Sequence, residues 1–251
     1  LSGLAERHPQ VDETFSEASD ILGYDLWQLV SDGPAGELNQ TDRTQPAMLA
    51  AGVAVWRVWQ TNNGHAPAVM AGHSLGEYTA LVSAGSIAFA DAVALVAERG
   101  RCMQRAVSEG SGAMAAILGL DDATVMDVCN TAAEGSVVSA VNFNSPGQVV
   151  IAGETGAVER AMQLAKERGA KRAVQLPVSV PSHCDLMRPA AGQFAGNLGE
   201  TTIASPGIPV LHNVDVTAHD DPASIRELLA QQLLQRHQGL DYDFGLATVQ
   251  P

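Results

Sequence analysis

Apolar residues recur every three or four positions in three parts of the first 110 residues, which is the spacing of a helix with one buried face. The recurring positions are Val11, Phe15, Ala18 and Leu22, then Leu49, Val53 and Trp56, and then Val93, Val96, Gly100, Met103 and Val107. We therefore predict helices over residues 11–22, 46–61 and 91–107. Pro46 is placed at the start of the second because proline is favoured in a first turn. Arg99 lies beside the third apolar stripe, which predicts a partly buried arginine.

A different pattern follows the second of these helices. Residues 68–71 form the apolar run AVMA, which has the length of a short buried strand. The segment 72–76, GHSLG, comes directly after it, and residues 78–84 again suit a helix. We predict a strand, a tight turn and a helix, with Ser74 at the turn.

Residues 113–177 alternate between short apolar runs and helical stretches in the order β-α-β-β-α-β. The predicted strands cover 113–118, 137–143, 148–152 and 172–176, and the predicted helices cover 122–133 and 155–168. That order is the ferredoxin-like arrangement. We therefore expect a small domain over residues 111–177, inserted in a larger α/β domain made of residues 1–110 and 178–251. In residues 178–251, the second part of the larger domain, we predict a helix over 185–198, a strand over 210–214 and a helix from about 223.

Composition and charge narrow the classes of protein. Of the 251 residues, 46% are hydrophobic and 17% are charged, which suits a folded domain with a sizeable core. The net charge of −14 argues against nucleic-acid binding, which needs a basic face. No run approaches the roughly 20 apolar residues of a membrane helix, and no signal peptide is visible. The three cysteines are too few and too scattered for a disulfide framework or a zinc site, so we expect no metal and free thiols in a reducing cytoplasm.

The turn at Ser74 has a chemical interpretation. Flanking glycines allow a sharp strand-to-helix turn that leaves the serine hydroxyl projecting, and the helix that follows offers backbone N–H groups to a developing oxyanion. The alternative is an ordinary turn, since glycine and serine are common in turns. We favour a nucleophilic serine because an apolar strand precedes it and a helix follows.

A nucleophilic serine needs a base. We favour His183, because residues 177–182 before it contain two prolines that stiffen the loop; the alternative is a loop histidine with a structural hydrogen bond. Arg99 is the third candidate, because a partly buried arginine needs a carboxylate or phosphate partner. A surface salt bridge from Arg99 to Glu98 or Asp91 is the competing interpretation.

Several motifs occur together in one order along the chain. They are QPA at 45–47, GHSLGEY at 72–78, Arg99-Gly100, VNFNSPGQVVIAG at 141–153, PVSVPSHC at 177–184 and NVDV at 213–216. In this combination, over roughly residues 1–232, the chain resembles the malonyl-CoA:acyl carrier protein transacylase family of bacterial fatty acid synthesis. The resemblance implies an α/β-hydrolase-like large domain with a ferredoxin-like small domain. This agrees with the order of strands and helices predicted for residues 113–177.

The resemblance also implies roles for individual residues. Ser74 would be the acylated nucleophile, His183 its general base and acid, and Arg99 the group that grips the free malonyl carboxylate. The remaining implied site residues are Leu75, whose N–H would bind the oxyanion, Gln45, which would line the site, and Met114 and Asn142, which would contribute from the small-domain side. In the family a main-chain carbonyl orients the histidine. Residues 234–245 do not match that segment, so we expect His183 to lack such a partner.

The activity implied is transfer of a malonyl group from malonyl-CoA to the phosphopantetheine thiol of acyl carrier protein, which supplies extender units for fatty acid synthesis. No cofactor is implied, because malonyl-CoA is a substrate and the phosphopantetheine belongs to the partner. A monomer is the default expectation. Two alternatives stay open: a serine esterase or thioesterase, which would need an acidic residue such as Asp122 or Asp127 behind its histidine, and a catalytically incomplete binding relative.

Overall fold

A computed structural model describes residues 1–108, 110–178 and 180–234 of a mixed α/β protein. The first part of the chain is mostly helical. Its elements are α1 (Ser2–Ala5), α2 (Pro9–Leu22), α3 (Leu26–Asp32), α4 (Ala35–Leu38), α5 (Thr41–Thr61), β1 (Met70–Ala71), α6 (Leu75–Ser83) and α7 (Phe89–Ala106). Gly23 takes a left-handed conformation after α2, with φ of 74°, as expected of a helix stop.

The middle of the chain forms a four-stranded antiparallel sheet with two helices, in the predicted order of elements. The elements are β2 (Gly112–Leu118), α8 (Asp122–Ala133), β3 (Val138–Ser145), β4 (Gln148–Glu154), α9 (Thr155–Glu167) and β5 (Arg172–Gln175). The strands lie side by side in the order β3-β4-β2-β5. Within this sheet β2 is central and pairs Ala115 with both Ile151 and Gln175.

The last described part of the chain, residues 180–234, packs against the first part. It contains a short 3₁₀ turn (Asp185–Met187), α10 (Arg188–Glu200), β6 (Val210–Leu211) and α11 (Pro222–Gln231). Strand β6 pairs in parallel with β1, which brings residues 210–211 beside 70–71. This pairing places the segment after β6 next to the turn that carries Ser74.

Buried apolar side chains form two large clusters. One is built from residues before 110 and after 178, and the other from residues 113–165. A small third cluster contains Met114, Val141, Val150, Ala152 and Cys184, so it joins the four-stranded sheet to the loop of His183.

Most predicted helices are confirmed to within a few residues, but the start of α5 is wrong. The helix begins at Thr41, and Pro46 lies in its second turn. Pro46 is the sixth residue of the helix and lacks the N–H that would bond to the Asp42 carbonyl, so the helix loses one hydrogen bond there. The strands predicted over 68–71 and 210–214 are also too long, since β1 and β6 pair over two residues each.

Candidate active site

Ser74 lies in a strained turn between β1 and α6. Its backbone has φ of 50° and ψ of −108°, a combination that non-glycine residues rarely adopt. A Cβ atom on Gly72 would lie 2.0 Å from the carbonyl carbon of Gly76, so only glycine fits there. A Cβ on Gly76 would meet open space, so of the two flanking glycines only Gly72 is required by a close contact.

Asn213, from the segment after β6, holds the turn on both sides. Its side-chain oxygen accepts a 2.6 Å hydrogen bond from the Ser74 N–H, and its amide nitrogen donates to the Gly72 carbonyl at 2.7 Å. These bonds satisfy backbone groups that the sharp turn removes from regular structure, and they stabilise the strained conformation.

His183 meets the serine hydroxyl. Its Nε2 lies 3.0 Å from Ser74 Oγ, and its Nδ1 lies 2.9 Å from the main-chain carbonyl oxygen of Gln232. A carbonyl can only accept, so Nδ1 carries the proton and Nε2 offers its lone pair to the hydroxyl. The expectation that His183 lacks a carbonyl partner is wrong: Gln232, the residue after α11, provides it.

The surroundings keep His183 uncharged. Burial is the main cause that lowers the pKa of His183 to about 3, and repulsion from the Arg99 guanidinium lowers it further. The hydrogen bond to Gln232 acts in the opposite direction. A neutral imidazole is the form that can take a proton from serine.

Arg99 is more deeply buried than the sequence predicts, at 2% exposure. Helices α5 and α7 cross closely at the next residue, Gly100. A Cβ atom on Gly100 would lie only 2.5 Å from the Asp42 Cα, so only glycine allows this approach. The guanidinium donates to Gln45 Oε1 at 2.8 Å and to Gln232 Oε1 at 3.0 Å. Its Nη2 lies 3.5 Å from Ser74 Oγ.

The neighbours of Arg99 are neutral. Its expected surface partner Glu98 pairs instead with Arg101 and Arg105, each at 2.6 Å. Among the described residues, no carboxylate lies within 4.0 Å of the Arg99 guanidinium. Burial lowers the pKa of Arg99, but arginine stays charged in proteins. A cation without an anionic partner therefore lies beside the serine.

A cavity of about 860 Å³ opens onto this group. Ser74, Arg99, Gln45 and Leu75 all line it. Leu75 is the first residue of α6, so its N–H is among those without a partner inside the helix. The cavity thus offers a hydroxyl, a cation and a free N–H to one bound molecule.

Met114 and Asn142 do not line this cavity. Met114 is buried in the third apolar cluster, beside Cys184. Asn142 lies in β3, and its Oδ1 is buried with no hydrogen-bond partner among the residues that the structure describes. Contact of either residue with an acyl group stays a prediction.

The acid that a serine esterase would need is not behind His183. Asp122 begins α8 in the middle part of the chain, and Asp127 forms an ion pair with Arg168 at 3.0 Å. The position behind His183 is taken by a carbonyl. In residues 1–108, 110–178 and 180–234, no group of three or more His, Cys, Asp or Glu residues could hold a metal ion.

Sequence reasoning missed a cluster of buried polar side chains next to Ser74 and His183. Glu77, His212, Asn213 and Gln232 are at most 7% exposed and are linked by hydrogen bonds. Glu77 lies inside the GHSLGEY motif, and a carboxylate so close to a nucleophilic turn was the one signal available. Gln232 gave none.

The model of the acyl transferase domain family matches residues 5–235. The malonyl CoA-acyl carrier protein transacylases of Salmonella typhimurium and Bacillus subtilis are 60% and 44% identical to this chain, over 93% and 92% of it and 75% and 73% of their own lengths. The chain belongs to the malonyl CoA-acyl carrier protein transacylase family. The resemblance stated above is thereby confirmed.

Solved structures of the family share the fold. The transacylase of Coxiella burnetii superposes with a TM-score of 0.93 at 51% identity, covering 94% of this chain and 75% of that one. A type II PKS acyl-carrier protein in complex with its malonyl-transacylase gives a TM-score of 0.92 at 56% identity, covering 94% and 77%. No described helix is long and apolar enough to cross a membrane.

Proposed function

We propose that this chain transfers a malonyl group from malonyl-CoA to the phosphopantetheine thiol of an acyl carrier protein, through an ester on Ser74. One observation carries the proposal: the buried Arg99 cation, whose hydrogen-bond partners are neutral, lies 3.5 Å from a serine hydroxyl that also meets His183. An acyl group bonded to Ser74 Oγ and bearing a second carboxylate two carbons away would bring that carboxylate to Arg99.

The first half of the reaction loads the serine. His183 Nε2 takes the hydroxyl proton as Ser74 Oγ attacks the malonyl thioester carbon, and the oxyanion that forms accepts a hydrogen bond from the Leu75 N–H. The C–S bond then breaks, and the protonated histidine gives its proton to the departing coenzyme A thiolate. The product is malonyl-Ser74 and free coenzyme A.

The second half reverses the roles. The phosphopantetheine thiol gives its proton to His183 and attacks the ester carbon, the C–Oγ bond breaks, and Ser74 recovers the proton. Transfer requires that the thiol reaches the ester before water does. A His183 held neutral is ready to accept the thiol proton in each cycle.

The relatives support the partner assignment. They are named malonyl CoA-acyl carrier protein transacylases, and one structure holds an acyl-carrier protein on its malonyl-transacylase. We extend this to fatty acid synthesis, with malonyl units as the extender and no cofactor of the enzyme's own. A cytoplasmic location is supported by three free cysteines. That the chain acts as a monomer stays a prediction.

The division of the fold is part of the same proposal. We assign residues 1–110 and 178–251 to an α/β-hydrolase-like domain and residues 111–177 to a ferredoxin-like domain. Support comes from the two separate apolar clusters and from the strand order β3-β4-β2-β5. Residues 235–251, which fall in this division, lie outside the described residues.

Intact-mass measurement tests the function directly. Incubation of the full chain with malonyl-CoA should add one malonyl group, located on Ser74 by peptide mapping, and a holo acyl carrier protein should then remove it and gain its mass. Ser74→Ala should fold and take up none. Release of free malonate in preference to transfer would indicate an esterase, and no adduct on the wild type would indicate a binding relative.

A further inference from the structure

Four buried polar side chains meet behind the turn of Ser74. Glu77 comes from the first turn of α6, His212 and Asn213 are the two residues after β6, and Gln232 is the residue after α11. Glu77, His212 and Gln232 are fully buried, and Asn213 is 7% exposed. Burial of a carboxylate is costly unless hydrogen bonds compensate, so the surroundings of Glu77 have to supply donors.

Three N–H groups supply them. Glu77 Oε1 accepts from His212 Nδ1 at 2.6 Å, and Oε2 accepts from the Asn213 main-chain N–H at 3.0 Å and from Gln232 Nε2 at 2.8 Å. The donors belong to segments about 135 and 155 residues further along the chain. One carboxylate therefore ties α6 to the two segments that complete the active site.

Gln232 links Glu77 to both Arg99 and His183. Its side-chain nitrogen donates to Glu77 and to the Ser74 carbonyl, and its side-chain oxygen accepts from Arg99. A carboxylate can only accept and a guanidinium can only donate, so the amide has one permitted orientation. The main-chain carbonyl of the same residue accepts from His183 Nδ1.

We propose that Glu77 is a positioning residue for the acyl transfer, and that it acts through Gln232 on the base His183 and on the cation Arg99 together. The inference rests on the proposed function only for its selectivity readout. Glu77 touches neither Ser74 Oγ nor the cavity, so its effect is on orientation. Without it, the Gln232 amide nitrogen loses the shorter of its two hydrogen bonds and keeps only the one to the Ser74 carbonyl at 3.1 Å.

His212 makes a conservative replacement possible. In Glu77→Gln, the amide oxygen can take the place of Oε2 and keep the bonds from Asn213 and Gln232. The amide nitrogen then faces His212 Nδ1, which can accept if the imidazole proton moves to Nε2. His212 Nε2 is buried with no partner among the described residues, so the switch breaks no existing bond. Glu77→Met has a similar size and offers no such acceptor.

The experiment compares these two variants with a matched control. Ser86→Ala removes a buried hydrogen bond, from Ser86 Oγ to the Ala204 carbonyl at 2.7 Å, just beyond the far end of α6. Each protein is first measured for folded fraction by urea unfolding. The rate at which a fluorophosphonate labels Ser74 then reports the Ser74–His183 pair, and the ratio of kcat/KM for malonyl-CoA over acetyl-CoA reports Arg99.

Per folded molecule, Glu77→Met should label about 10-fold more slowly and lose about threefold or more of the malonyl-to-acetyl ratio, because small displacements of reacting groups cost large factors in rate. Glu77→Gln should restore both readouts to within about threefold of the wild type. Ser86→Ala should leave both unchanged.

Two results would overturn the inference: Glu77→Met matching Ser86→Ala in both readouts, or Glu77→Gln being as impaired as Glu77→Met. Failure of the proposed function has a different signature. In that case the wild type labels normally but transfers no malonyl group, and the labelling rates of the variants still decide the role of Glu77.

Discussion

Replacement of Arg99 by alanine should separate malonyl recognition from the rest of catalysis. The guanidinium donates to Gln45 and Gln232 and has no carboxylate partner among the described residues. Its loss deprives both glutamines of a donor whichever acyl group is bound. It deprives a second carboxylate of its partner only when the acyl group is malonyl. The ratio of the two substrates therefore isolates the carboxylate contact.

The magnitude follows from the burial of the site. Arg99 is 2% exposed, so a carboxylate that reaches it leaves water behind. Removal of one partner of such a buried, hydrogen-bonded charge pair costs about 2–5 kcal/mol. Since about 1.4 kcal/mol is a factor of 10, kcat/KM for malonyl-CoA should fall at least about 30-fold relative to that for acetyl-CoA.

The assay measures kcat/KM for both thioesters with the wild type, with Arg99→Ala and with Arg101→Ala. Arg101 lies two residues away on α7, is exposed and pairs with Glu98, so its removal is the matched control and should change neither value. Arg99→Lys, which keeps the charge without the planar fork, should fall between the wild type and Arg99→Ala. An unchanged malonyl-to-acetyl ratio in Arg99→Ala would refute the carboxylate contact.

Three further outcomes are expected. His183→Ala should slow acylation of Ser74 by about 100- to 10,000-fold, as measured by rapid-quench intact mass; a rate near the wild type would assign the base elsewhere. Because the pKa of His183 is about 3 in the folded chain and about 6.5 when unfolded, the unfolded state binds the proton first and the free energy of unfolding falls as pH drops from 6.5 towards 3. Urea unfolding should show this loss, about 2 kcal/mol by pH 5, in the wild type and not in His183→Gln, and equal losses would contradict it. Gly100→Ala should cost about 1–3 kcal/mol and lower malonyl kcat/KM, whereas Gly192→Ala, where a Cβ meets open space, should do neither; equal effects of the two would show that the close helix crossing is unimportant.

The parts of the fold that sequence reasoning predicted are those with a local signal. The predicted bounds of α8, residues 122–133, agree with the structure because its apolar period and its acidic cap are both local features. The start of α5 was missed because Pro46 suits a first turn and is also tolerated in a second. The lengths of β1 and β6 depend on their pairing with each other, which no local pattern records.

The site divides in the same way. Ser74, His183 and Arg99 stand in short motifs, and the structure brings them together. The partner of His183 had no signal because every residue has a main-chain carbonyl, so nothing in the sequence of Gln232 distinguishes it. The depth of Arg99 was underestimated because it depends on how closely α5 approaches Gly100, which is a property of packing.

The choice of neutral partners around Arg99 connects selectivity to catalysis. Gln45 accepts a hydrogen bond from Nη1 of the guanidinium and Gln232 one from Nη2, and neither cancels its charge. An aspartate or glutamate there would compete with a substrate carboxylate. Burial is the main cause that lowers the pKa of His183, and repulsion from the Arg99 charge adds to it, so the free site holds a weak base. On the proposed function, a malonyl carboxylate on Arg99 would offset that repulsion, and we expect the imidazole to become more basic when malonyl binds. An acetyl group leaves the repulsion in place. We therefore expect the buried charge of Arg99 to favour malonyl over acetyl in two ways, in binding and in proton transfer.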